Sequence, residues 1–84
     1  MTKTQLKNYI ERNSNIDFDF NGKRYGIERI KDENKNYQIH FWEWNNTDNF
    51  YLKFSTYEDF EKNAKIGELS VVEILKDIDD ADVF

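Results

Sequence analysis

The first apolar positions of the chain, Leu6, Tyr9 and Ile10, recur at three- and four-residue spacing. That period predicts an amphipathic helix over residues 4–13, with Thr4 as its cap and Asn13 falling on the same side. The string "NSN" at 13–15 breaks it. The period then drops to two. Ile16, Phe18 and Phe20 alternate with Asp17 and Asp19, the pattern of a strand with one buried face. Asn21-Gly22 predicts a tight hairpin, because both central residues of a type I′ turn need positive φ. The returning strand puts Tyr25 and Ile27 on one face. Ile30 is out of phase with them, so a bulge is expected near Gly26 or Arg29.

"KDENKN" is a polar turn, and "YQIHFWEW" is a third strand rich in β-formers. "NNTDN" turns the chain into a fourth strand, "FYLKF", with Phe50, Leu52 and Phe54 inward. "STYEDFEKNA" returns to a helical pattern, opened by a capping box from Ser55 with Glu58 or Thr56 with Asp59, and ended by Gly67. "SVVEILKDIDD" predicts a last helix with Ser70 as cap and Val71, Ile74, Leu75 and Ile78 as its apolar face. The order α-β-β-β-β-α-α predicts one α+β domain over residues 1–84. Its expected form is a four-stranded antiparallel meander, with one N-terminal and two C-terminal helices packed on one face.

"HFWEW" at 40–44 holds the chain's single histidine and both tryptophans. Alternation assigns Tyr37, Ile39 and Phe41 to the core. His40, Trp42 and Trp44 then fall on the opposite face, with Asp17, Asp19, Glu28, Tyr51 and Lys53. Large aromatics on an uncovered sheet face serve either as cross-strand packing or as a contact surface. Both tryptophans are expected to be partly exposed.

Composition narrows the function classes. There is no cysteine, hence no disulfide or thiolate chemistry, and no apolar run of membrane-spanning length. The N-terminus lacks the apolar stretch of a secretory signal, so a cytoplasmic setting is expected and Asn45-Asn46-Thr47 is not read as a glycosylation site. The net charge of −5 is uneven: residues 1–31 carry +3 and residues 32–84 carry −8. An acidic half disfavours direct nucleic-acid binding and suits a basic protein partner.

Catalytic signals are sparse. One histidine sits mid-strand, two of three serines fall at helix starts, and no zinc spacing or phosphate-binding glycine loop occurs. Neither a cofactor nor a catalytic residue is expected. Asp17 to Glu28 does fit the calcium-loop pattern D-x-[DN]-x-[DN]-G-x5-E. Yet Arg24 stands where that loop carries an apolar residue, no helix leads into Asp17, and a strand-turn-strand explains the same residues.

"FNGKRY" at 20–25 and "NAKIG" at 63–67 carry a resemblance. The chain resembles small, functionally uncharacterised bacterial and phage α+β domains that share such a hairpin and a later helix-turn-helix. It is similar in composition to phage-encoded inhibitors of host defence. The resemblance implies a fold and transfers no site residue. The expected function is an acidic, non-enzymatic protein-binding module, in its sharpest form an inhibitor that occupies a basic surface of a host defence nuclease. The alternative is a nucleic-acid or small-ligand module using the aromatic face. Candidate partner-binding residues are His40, Trp42, Glu43, Trp44 and Tyr51, together with Asp77, Asp79, Asp80 and Asp82 of the acidic tail.

Overall fold

A computed structural model describes all residues from Met1 to Phe84. Helix α1 spans Lys3–Glu11. Its cap is Thr2, not Thr4: the Thr2 hydroxyl accepts from Gln5 N and the Gln5 side chain accepts from Thr2 N, a reciprocal capping box. The helix stops two residues before the predicted end, and Asn13 turns the chain at φ 62°.

Strands β1 (Ile16–Phe20) and β2 (Lys23–Lys31) form the predicted hairpin. Phe20 pairs with Lys23, leaving Asn21 and Gly22 as a two-residue turn with φ 53° and 77°. Strand β2 then pairs with β3 (Tyr37–Glu43) without interruption from Tyr25–Glu43 to Lys31–Tyr37. The expected bulge is therefore absent. Ile30 simply faces the other side of the sheet, half-buried, with Gly26 and Glu28. Strand β4 (Tyr51–Phe54) closes this side of the sheet.

Helix α2 (Tyr57–Asn63) starts at Thr56, whose hydroxyl accepts from Asp59 N. The predicted helix-turn-helix after it is replaced by a small hairpin, β5 (Lys65–Ile66) and β6 (Leu69–Ser70). Gly67 sits at the first turn position with φ 63°, where a type II′ turn requires glycine. Helix α3 (Val71–Lys76) follows at once, with Ser70 at the cap position but making no capping bond. A fifth strand, β7 (Asp82–Val83), pairs antiparallel with β1. It is extended by reciprocal backbone bonds between Asn15 and Phe84 at 3.2 and 2.8 Å. The sheet order is thus β4-β3-β2-β1-β7. The α+β class and antiparallel sheet agree with the sequence pattern; the strand count does not.

All three helices pack on one face. Leu6 and Ile10 of α1, Phe60 of α2, and Val71, Val72, Ile74 and Leu75 of α3 join Ile16, Phe18, Tyr25, Ile27, Ile39, Phe41 and Phe54 in one buried cluster. Phe41 is at its centre, stacked at 6.4 Å on Phe18 and met edge-on by Phe50 and Phe60. Phe20 and Ile78 are only partly buried. Leu52 departs from expectation: it pairs with Phe41 and shares its face, yet is 38% exposed. Strand β4 is an edge with no neighbour beyond it. Tyr37, at the far end of β3, is exposed for a similar reason, and the Arg29 guanidinium lies 3.8 Å over its ring. No helix is long and apolar enough to cross a membrane.

Candidate functional site

The second face of the sheet carries no helix, and its side chains form rows set by strand register. One row runs Asp82, Asp17, Gly26, Trp42 and Tyr51 across all five strands. A second runs Glu28, His40 and Lys53. A third holds Asp19 and Arg24, extended by Trp44, whose N–H donates to Arg24 O at 2.8 Å.

The middle of the first row decides the architecture. Gly26 has no side chain, and the Trp42 indole occupies that space against the β2 backbone. Tyr51 stacks on Trp42 at 5.8 Å and 14°, while Trp44 meets it edge-on at 5.6 Å and 74°. Trp42 is consequently 7% exposed, in contrast to the partial exposure expected of it. Neighbouring rings and the bare β2 backbone cover it, which periodicity alone does not reveal. Trp44 at 44% and Tyr51 at 39% remain open, as the alternation predicted. The aromatic strip is therefore a small second core with two exposed rims.

Polar contacts fix both rims. The Trp44 indole N–H donates to Asp17 Oδ1 at 3.3 Å. The Tyr51 hydroxyl lies 2.7 Å from His40 Nδ1, and the two rings are edge-on. Burial, with the nearby Lys53 charge as a smaller cause, holds the His40 pKa below its ordinary value. Burial and then Glu28 push the Tyr51 hydroxyl up. The neutral pair is thus favoured over either charged form.

Arg24 organises the charged side. Its guanidinium bonds Asp82 at 2.5 Å and Asp19 at 3.2 Å, with Asp17 at 3.9 Å. The bond to Asp82 is the main reason its pKa is raised. Asp17 and Asp19 are thus strand residues with an arginine between them, and Glu28 lies in the row of His40. The backbone of Asp17–Glu28 is a hairpin rather than a calcium loop. No group of three or more His, Asp or Glu side chains is placed to hold a metal ion.

Two groups of candidates lie elsewhere. Glu43 is not on the partner face. Being two residues from Phe41, it points to the core side, in the row of Phe18 and Tyr25, and is 5% exposed. Lys23 Nζ lies 3.3 Å from its carboxylate, and Asn46 donates to it. Asp77, Asp79, Asp80 and Asp82 are all exposed but do not act as one patch. Asp77 caps the end of α3, whereas Asp82 joins Arg24 on the sheet. Conversely, Gly26 and Arg24 were missed by sequence reasoning. Their roles depend on which residues lie opposite, and only the alternation of the facing strands hinted at that. Comparison with protein-family models, with curated proteins and with solved structures finds no match for this chain.

Proposed function

We propose that this chain is a non-enzymatic protein-binding module whose working surface is the uncovered sheet face centred on Trp44 and Tyr51. The observation that carries the reading is the state of Trp44. Its ring is nearly half exposed, yet is held by Trp42 on one side and by Asp17 on its indole nitrogen. An exposed tryptophan already fixed in place loses little freedom on binding, which favours its use as an anchor.

Charge supports a basic partner. Asp17, Asp19, Glu28 and Asp82 share this face with only Arg24 and Lys53, and Arg24 is engaged by three of those carboxylates. A phosphate backbone meets no free cationic groove here, so the protein partner is preferred over a nucleic acid. The sharpest form is an inhibitor that covers a basic, nucleic-acid-binding surface of its target.

The test is capture of the partner from a native lysate by a photo-crosslinker at position 44, followed by affinity measurement with the purified partner. Trp44→Ala should weaken that affinity by about 2 kcal/mol or more, and Asp19→Lys should lower the association rate. A partner that binds Trp44→Ala as tightly as the parent chain, or quenching of Trp44 by a single-stranded oligonucleotide at physiological salt, would overturn the reading.

A further inference from the structure

A second surface lies on the opposite side of the molecule, between the end of β1 and helix α3. A groove of about 330 Å³ is lined by Phe20, Leu69, Ile74 and Ile78, with Glu73 and Asp77 on its rim. Leu69 is 54% exposed there, the most open large aliphatic side chain of the fold. Phe20 and Ile78 are only partly covered by the core.

One rim charge, Asp77, is unfavourably placed within the chain itself. Glu73 and Asp77 stand four residues apart, where like charges on a helix repel. Asp77 also sits at the helix C-terminus, where the macrodipole disfavours an anion. Lys76 lies 3.1 Å from Glu73, but none of the chain's ion pairs involves Asp77. Asp79 and Asp80 add two further exposed carboxylates just beyond. An open apolar groove whose rim carries the unpaired Asp77, with Asp79 and Asp80 just beyond, is complementary to one kind of occupant, an apolar side chain flanked by cations. A second copy of this chain fits poorly, because a two-fold contact through the groove would set one acidic rim against another.

We propose that this groove is a docking site for a basic peptide segment of a partner protein. An aliphatic or aromatic side chain enters between Leu69, Ile74 and Ile78, and neighbouring Lys or Arg residues meet Glu73 and Asp77. The proposal rests on the protein-binding reading in general but not on the aromatic face, and the two fail separately.

The probes are a short Leu/Lys peptide, a Ser/Lys peptide of equal charge and a Leu/Glu peptide, each titrated into methyl-labelled full-length chain. The Leu/Lys peptide should shift the Leu69, Ile74 and Ile78 methyl signals saturably, and the other two should not. Leu69→Ser and Asp77→Lys, both at exposed positions, should each weaken binding by about tenfold, equivalent to about 1.4 kcal/mol. Trp44→Ala should leave it unchanged. The proposal is overturned by equal binding of the Ser/Lys peptide or by shifts at the Trp44 indole in place of the groove. Absence of saturable shifts does the same, as does a dimer of the parent chain that Leu69→Ser dissociates. Loss of the crosslinked partner by Trp44→Ala with the groove silent would sustain the aromatic face alone.

Discussion

The indole of Trp42 lies across Gly26 so closely that a Cβ at residue 26 would sit 2.6 Å from Trp42 Cζ2 and 2.7 Å from Cε2. The two residues are paired directly across β2 and β3. The glycine is required here by space and not by backbone angle, since its φ is not in the left-handed region. Gly26→Ala should therefore destabilise the fold by about 1–3 kcal/mol through overpacking. It should also lift the indole, so that acrylamide quenches both tryptophans where the parent chain shows one quenched and one protected. Unchanged quenching and an unchanged denaturant midpoint would show that the ring has another resting place.

Phe41 is the keystone of the other face, fully buried among Phe18, Phe50 and Phe60. Phe41→Ala should cost about 3–5 kcal/mol in a urea melt, from lost transfer energy and a residual cavity. Leu52→Ala on the same face should cost far less, because that side chain is already partly in water.

His40 gives a pH dependence with a definite sign. Its folded pKa is depressed below the ordinary value of 6.5, so the unfolded chain binds the proton more readily. The stability that His40 contributes is full above that value. It is lost as pH falls through the lower folded value. The ring signals of His40 should titrate with a midpoint below 6.5. In His40→Gln the acid-side loss of stability should be shallower than in the parent chain, measured by denaturant midpoints between about pH 7.5 and 5.

Residues 81–84 cover the β1 edge and bring Asp82 to Arg24. Removing them exposes a strand edge, the common template for intermolecular pairing. The shortened chain should show concentration-dependent association by light scattering, which the parent chain should not.

Calcium provides a check on the hairpin. The amide signals of residues 17–28 should not move saturably at micromolar calcium, because Arg24 lies among the carboxylates that a calcium loop would supply. Glycine at the turn matters more: Gly22→Ala forces a side chain to φ 77°, and should cost about 1–2 kcal/mol.

Local chemistry was legible wherever one segment decides the outcome. Alternation at Ile16 to Phe20 and the Asn21-Gly22 dipeptide specify a hairpin with its faces, since side-chain direction has a period of two and few residues tolerate positive φ. The split of "HFWEW" into inward Phe41 and outward Trp42 and Trp44 follows from the same period. Glu43 was assignable by that rule too, and its place on the core side follows from its spacing to Phe41.

What the order of residues alone determined is therefore the class of fold, the hairpin of β1 and β2, and the alternation that sets which side of the sheet a strand residue takes. Only the tertiary structure decided how much water each of those residues keeps. Trp42 is buried on the face without helices because a glycine happens to lie opposite it, whereas Leu52 is exposed on the core face because its strand is an edge. The tail became a fifth strand because the β1 edge was free and Arg24 waited beside it for Asp82. Burial depends on neighbours far apart in the chain, and periodicity carries information only about direction.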